Sequence, residues 1–270
     1  MSITDLIGKS ESLRFLEATC EETGKFTTCP DCGRKTPVLR ITYGAKESEI
    51  NPTCECISER ERRWYQGMRE QEQRDRIERV FPTWLLGKRF QKCTFDNFIT
   101  REGTEIAIKA AKEYAENFPP PNGEGMLFLG KCGTGKSHLA AAIAHEVKKK
   151  GFTTVFASVP ETLSRIRATY DRGIEETEAQ LMYGLKEASL VVLDDLATEK
   201  RTDWKQEIIY EMVDARYRNE LPVIVTTNAN PQQLKKQVGE RTYDRLIEMC
   251  RVVVNNSTSY REEIGRKENG

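Results

Sequence analysis

An apolar run, Met126 to Leu129, opens directly into Gly130-Lys-Cys-Gly-Thr-Gly-Lys-Ser137, and an alanine-rich helical pattern from His138 to Lys150 follows. The eight residues satisfy the phosphate-loop pattern G-x-x-x-x-G-K-[ST] in full, in the strand–loop–helix setting that the pattern requires. Glycines at 130, 133 and 135 let the backbone turn its N–H groups toward a β-phosphate. A helix N-terminus near Lys136 adds dipole and free donors. Lys136 is placed to reach the β/γ-phosphates and Ser137 to put its hydroxyl on Mg²⁺. Further along, Leu190-Val-Val-Leu-Asp-Asp195 is a second apolar run, ending in two carboxylates. The pair of segments implies a chain that binds and hydrolyses a nucleoside triphosphate.

The surrounding pattern is α/β. Short apolar strands are expected at Met126–Leu129, Thr153–Ser158, Leu190–Leu193, Leu221–Thr227 and Arg251–Val254, with helices between them at Pro160–Tyr170, Ala179–Glu187 and Asp203–Arg218. Shorter helices are expected around Leu234–Lys236 and Tyr243–Met249, and a longer one over Asn97–Asn117, stopped by Pro119-Pro-Pro-Asn-Gly123. Strands of this kind, without polar alternation, indicate a parallel sheet covered on both faces.

In such sheets the ligand sits beyond the carboxyl ends of the strands. Asp194 can therefore hold Mg²⁺, and Asp195 can orient water, unless it serves as a helix cap or ion-pair partner. Glu199 is a second candidate base. Asn228, closing Leu221-Pro-Val-Ile-Val-Thr-Thr-Asn228, has the carboxamide needed to hold an attacking water, with Thr227 a weaker candidate; a cap is the plain alternative. Arg241, Arg245 and Arg261 lie late in the chain. A guanidinium suits developing γ-phosphate charge, and at least one could serve a neighbouring subunit's nucleotide. Surface pairing with Glu240 or Glu248 is the alternative.

Ahead of this region the chain changes character. Residues 1–25 suggest a short helical lead around Leu13, Phe15 and Leu16. Residues 58–80 are almost all charged or polar, with Trp64, Tyr65, Met68, Ile77 and Val80 as sparse apolar points, and read as a solvated helix joining two domains. Between them, Cys29-Pro-Asp-Cys32 and Cys54-Glu-Cys56 form two close pairs. Four thiolates so placed suit a structural Zn²⁺ site, although C-x-C departs from the usual knuckle. A redox C-x₂-C or an iron–sulfur cluster is the alternative, and Cys20 a weaker ligand. Cys93, Cys132 and Cys250 read as core or loop residues, and His138 and His145 as helix residues rather than metal ligands. For this small unit a protein partner is favoured over nucleic acid.

Composition narrows the classes. The chain has 270 residues, with 42 basic and 42 acidic side chains. This balance argues against a uniformly basic coat for gripping DNA, though not against a local groove. No apolar stretch is long enough to span a membrane, and the start lacks an export signal. A cytoplasmic protein without membrane partners is expected.

Residues 95–261 resemble the ATPase domain of the DnaC/DnaI/IstB-like group of AAA+ proteins, the bacterial and phage helicase loaders and transposition helpers. The resemblance is carried by Thr94-Phe-Asp-Asn-Phe98, Gly130 to Leu139, Leu193-Asp-Asp-Leu-Ala-Thr-Glu199, Thr226-Thr-Asn228 and Gly239-Glu-Arg-Thr-Tyr-Asp-Arg-Leu246. It implies an AAA+ P-loop ATPase core with a central parallel sheet and no C-terminal lid domain, preceded by a small zinc-binding domain and a helical linker. The divisions are 1–57, 58–90 and 91–270. It implies Asp194 and Asp195 as the Walker B pair, Asn228 as sensor 1, Arg245 as the arginine finger, with Arg241 the second candidate, and Arg261 at sensor 2. Nucleotide contacts are expected from Gly130, Gly133, Thr134, Gly135, Lys136, Ser137, His138 and Arg261. The group usually carries Glu where Asp195 stands, which suggests slow turnover, and often glycine where Ala197 stands. The implied function is ATP-dependent loading of a replicative hexameric DNA helicase onto single-stranded DNA, with the N-terminal unit gripping the helicase and the ATPase units self-associating. A transposition helper on duplex DNA, or an adaptor without turnover, are the alternatives.

Overall fold

The computed structural model describes residues 18–43, 45–82, 87–171, 176–197 and 201–260. The helical lead around Leu13, the candidate base Glu199 and the expected sensor residue Arg261 lie outside the described residues. The chain divides into two compact units, with the boundary between Glu72 and Gln73.

The first unit is built on an antiparallel sheet of β1 (Ala18–Thr28), β2 (Lys35–Tyr43) and β3 (Lys46–Ile50) in the order β1-β2-β3. Residues 18–25 are thus strand and not part of a helical lead. Ala18 to Glu22 pair with β2, and cross-strand partners outweigh a weak helical preference. The β1–β2 register shifts between Glu22 and Phe26; Gly24 lies there with φ 74°, and the Thr23 hydroxyl donates to Val38 O at 2.9 Å. Among the described residues of this unit, only Cys29, Val38, Leu39 and Cys54 are buried apolar side chains. So little apolar burial does not hold a small unit by itself.

Helix α1 (Glu55–Val80) begins in the first unit, where Trp64 and Tyr65 are each 60% exposed. Its last turns belong to the second unit. There Ile77 is 1% exposed, Arg76 lies over the Tyr183 ring at 3.9 Å, Gln73 donates to Glu187 O, and Phe81 fits against Gly184, where a Cβ would meet its ring at 2.7 Å. The helix is therefore solvated for only part of its length.

In the second unit, strands β4 (Gly125–Gly130), β5 (Thr154–Ser158), β6 (Leu190–Asp194), β7 (Val223–Thr227) and β8 (Cys250–Asn255) form a wholly parallel sheet in the order β5-β6-β7-β4-β8. Successive side chains of each strand enter opposite cores. Leu127, Val191, Leu193, Val223 and Val225 enter one; Met126, Phe128, Leu190, Val192 and Ile224 enter the other. The second core is closed by α2 (Glu105–Glu116) and α3 (Lys136–Lys149), whose alanines let helix and sheet approach closely. The first is closed by α4 (Val159–Ala168), α5 (Glu178–Glu187), α6 (Asp203–Arg218), α7 (Pro231–Val238) and α8 (Glu240–Met249).

Two local features depart from sequence expectation. The helix expected over Asn97–Asn117 is confined to Glu105–Glu116, because Asn97 and Thr94 bond each other's backbone N–H groups and Thr104 closes a turn on Arg101. Such local side-chain bonds compete with helix. Arg216 is a fully buried cation. Its guanidinium donates to the carbonyls of Leu185 and Lys186 at the end of α5, each at 3.2 Å, and to Pro222 O at 2.7 Å. Burial lowers its pKa to about 9, so it remains charged at neutral pH and meets carbonyls that the helix end leaves unpaired.

Ala197, two residues after the Asp194-Asp195 pair, has φ 70°, the left-handed region where a Cβ is strained. Ala197→Gly should raise stability by about 0.5–1 kcal/mol after the entropy cost of glycine. Chemical denaturation of both proteins reads this directly, and an unchanged midpoint would show that the turn carries no strain.

Candidate functional site

The site lies at the carboxyl end of the parallel sheet. Strand β4 delivers the phosphate loop, and α3 starts at Lys136, capped by Gly135 with φ 97°. The glycines are required for space as well as for conformation. A Cβ on Gly133 would stand 2.4 Å from Ser259 Oγ, and one on Gly135 would stand 2.8 Å from the Phe98 ring. Lys136, nearly buried, points its ammonium along the loop, donating to Gly130 O (2.9 Å), Lys131 O (2.8 Å) and Asn228 Oδ1 (2.7 Å). The Thr134 hydroxyl donates to Lys131 O.

Asp194 ends β6 and is buried. Burial pushes its carboxyl above the ordinary range, while the hydroxyls of Ser137 and Thr226 favour the ionised form. The Thr226 contact is 2.6 Å, to Oδ1. Asp195 has φ 56° and lines the cleft together with Asn228. The sheet thus brings Lys136, Ser137, Asp194, Asp195 and Asn228 together from three strand ends. Thr226, quoted above only as part of a motif, links the Asp194 carboxylate to the backbone of Asp195: its hydroxyl donates to Asp194 Oδ1 and accepts the backbone N–H of Asp195 at 3.0 Å. Thr227 has a different place from the one expected. It is buried, its hydroxyl donates to Leu196 O at 2.6 Å and accepts from the Ala229 N–H, and it shapes the turn after Asp195 rather than holding water.

A cleft of about 480 Å³ adjoins the loop. His138 lines it, with Nε2 donating to Thr94 O at 2.8 Å and the ring edge-on to Phe98. One turn pair further along the same helix, His145 donates to Phe90 O at 3.0 Å. Arg89, Phe90, Ile99, Arg101 and Tyr260 complete the wall. Sequence reasoning missed them, and the only signal available was the Thr94–Phe98 segment. Cys132 is exposed at the lip of the loop, while Cys93 and Cys250 are buried.

Of the late arginines, Arg241 and Arg245 do not line this cleft. Arg245 pairs with Asp214 at 2.7 Å and lies against the rings of Tyr210 (4.9 Å) and Tyr217 (5.5 Å). The expected alternative partners are otherwise engaged, Glu240 with Lys235 and Glu248 with the Tyr217 hydroxyl. Arg241 is exposed, one turn earlier on α8.

In the first unit, the Sγ atoms of Cys29, Cys32, Cys54 and Cys56 all lie within 4.8 Å of one another. Contacts of 3.5 Å (Cys29–Cys56), 3.6 Å (Cys32–Cys54) and 3.5 Å (Cys54–Cys56) fit the edges of a tetrahedron around Zn²⁺, about 3.8 Å for Zn–S bonds of about 2.3 Å. The first pair sits in the β1–β2 turn, where Gly33 has φ 72°. The second pair resolves the C-x-C departure: Cys54 precedes α1 and Cys56 lies in its first turn, so the helix start supplies the bend and a positive dipole end. The Cys32 backbone N–H, opposed by burial and joined by that of Asp31, brings the Cys29 thiol down to about 7. Crowding by the Cys32 thiol and burial push Cys56 up. Cys20 is not part of the cluster.

The family model described as IstB-like ATP binding protein matches residues 66–268. The chain is 32% identical over 195 residues to the replicative helicase loader DnaC of Escherichia coli (strain K12), covering 72% of this chain and 79% of that protein. The crystal structure of the DnaC helicase loader superposes with a TM-score of 0.57 at 27% identity, over 63% of this chain and 99% of that one. The replication initiator DnaA bound to AMPPCP and single-stranded DNA gives 0.55 at 25% identity, over 66% and 54%.

Thr226→Val keeps the shape of the side chain but removes its hydroxyl contacts to the Asp194 carboxylate and the Asp195 backbone N–H. Turnover of nucleoside triphosphate should fall about ten- to a hundredfold with the fold retained. Steady-state hydrolysis alongside circular dichroism tests this, and a rate within twofold of the parent would deny Thr226 the positioning role.

Proposed function

The chain belongs to the IstB-like ATP binding protein family, and from that premise we propose that it is an ATP-dependent loader of the replicative hexameric DNA helicase onto single-stranded DNA. The observation that carries this is the joining, in one chain, of a complete phosphate-loop site to a separate four-cysteine unit, in a sequence similar to DnaC over most of its length. The DnaA structure bound to single-stranded DNA supports a DNA contact by the second unit.

In this reading the N–H groups of Gly133 to Lys136 and the Lys136 ammonium bind the phosphates. Ser137 and Asp194, whose side chains face each other across the loop and the end of β6, offer the hard oxygens that Mg²⁺ takes. Bound there, Mg²⁺ would neutralise charge on the β- and γ-phosphate oxygens. Asp195 accepts a proton from water that Asn228 orients. Asp195 is one methylene shorter than the usual Glu, and slow turnover follows from its reach. Arg261 is assigned to the γ-phosphate from the C-terminal side. Arg245 is assigned to a neighbouring subunit's nucleotide, exchanging Asp214 for phosphate on assembly.

Cys29, Cys32, Cys54 and Cys56 would hold Zn²⁺ as a structural ion, joining β1, β2 and α1 in a unit with few apolar anchors. Trp64 and Tyr65, exposed beside Arg62 and Arg69 on α1, have the composition of interface hot spots. The first unit is therefore assigned to the helicase. No described helix is long and apolar enough to cross a membrane.

Native mass spectrometry of the chain with a replicative hexameric helicase, with and without ATP, should give a discrete complex carrying one zinc per copy of this chain. Absence of a complex in both states would transfer the assignment to a transposase partner. A second measurement concerns Arg245. Lys136→Ala and Arg245→Ala proteins should each lack turnover, and mixing them should restore part of it at shared interfaces. No recovery on mixing would remove Arg245 from the trans role.

A further inference from the structure

The phosphate loop is held from behind by the last residue of β8 and the chain segment that follows it. Residues Asn255 to Tyr260 carry the polar run Asn-Asn-Ser-Thr-Ser, which by composition would be a solvated turn. Yet Asn255 is 1% and Ser257 4% exposed. Strand pairing places Asn255 opposite Gly130, and a Cβ on Gly130 would lie 2.4 Å from Asn255 O. Asn255 Nδ2 donates to Thr134 O at 2.9 Å. The Ser257 hydroxyl donates to Asn255 Oδ1 at 3.0 Å, and the Ser257 N–H meets the same oxygen at 3.3 Å, which fixes the amide with its nitrogen toward the loop. The Tyr260 N–H donates to Gly133 O at 3.0 Å, with Arg101 Nη2 at 3.5 Å from the same carbonyl and Arg101 Nη1 on Thr258 O at 2.8 Å.

In a trans peptide the C=O and N–H point in opposite directions. Holding the carbonyls of Gly133 and Thr134 against the 255–260 segment therefore aims the N–H groups of Thr134 and Gly135 the other way, into the cradle. Resting on the nucleotide-binding reading above, we infer that Asn255 and Ser257 are positioning residues for diphosphate recognition: they touch no nucleotide, and they set the direction of the loop's donors. The preference for a β-phosphate is thereby built partly by a segment remote in sequence from the loop.

The test is equilibrium binding of ADP and AMP to the full chain carrying Asn255→Ala, Ser257→Ala or Ser257→Thr. The β-phosphate occupies the cradle and a lone α-phosphate does not, so a misdirected loop costs ADP far more than AMP. Asn255→Ala should weaken ADP about tenfold, near 1.4 kcal/mol, with AMP within about twofold. Ser257→Ala should act the same way at about threefold, and Ser257→Thr, which keeps the hydroxyl, should restore parental affinity. Binding stoichiometry near one in each variant separates this from loss of folded protein, since misfolding lowers stoichiometry and leaves the ADP-to-AMP ratio alone. Parental ADP affinity in both alanine variants, or equal losses for ADP and AMP, would overturn the inference. A parent chain that prefers neither ADP nor ATP over AMP would instead remove the nucleotide-binding reading, and the inference with it.

Discussion

Backbone pairing of β4 with β7 on one side and β8 on the other is the constraint on which the second unit depends. Because all these strands run parallel, their carboxyl ends finish at one level, and the groups leaving them meet. β4 contributes the loop and Lys136, β6 contributes Asp194, β7 contributes Thr226 and Asn228, and β8 contributes Asn255. No two of these four segments are neighbours in the chain. Hydrogen bonding in the sheet therefore does the work of assembling a charged site whose members have little reason to approach one another unaided. Burial of Asp194 disfavours its charge, and the Ser137 and Thr226 hydroxyls offset part of that cost.

Much of this was legible in the sequence. The five strands, most of the helices and the central set of Lys136, Ser137, Asp194, Asp195 and Asn228 follow from short apolar runs with polar ends, because a fully buried parallel strand has little freedom in composition. The misses have a common cause. Thr226, Thr227, Asn255, Ser257 and Arg101 act through single hydrogen bonds to groups far along the chain, and a lone Thr or Asn looks alike at a surface turn and in a buried contact. Arg216 belongs with them: nothing in its neighbourhood in the chain distinguishes a buried cation from an exposed one. The strand at 18–25 and the loop at 97–104 were missed for the opposite reason. There, local preference was weak, and cross-strand pairing or side-chain-to-backbone bonding decided the outcome.

The first unit is held by other forces. Its sheet buries very few apolar side chains, and the cysteine cluster stands where a larger unit would have a core. Four sulfurs drawn from one turn and one helix start lie together between segments that also meet through exposed ion pairs, such as Arg60–Asp31 and Arg34–Glu55. Exposed pairs of this kind contribute little. The polar surface of α1 is consistent with an element whose stability comes from its two ends rather than from a continuous apolar stripe.

The chain has only two histidines, and both sit on α3, donating from Nε2 to the carbonyls of Thr94 and Phe90. A carbonyl can only accept, so each ring is fixed with its proton on Nε2. The molecule thus contains two intrinsic probes with well-separated positions and no others of their kind. Their Nε2–H resonances would form a two-line spectrum, one line for the bond to Thr94 and one for the bond to Phe90. Any movement of the 90–94 segment against α3 could be followed at both points without attaching a label.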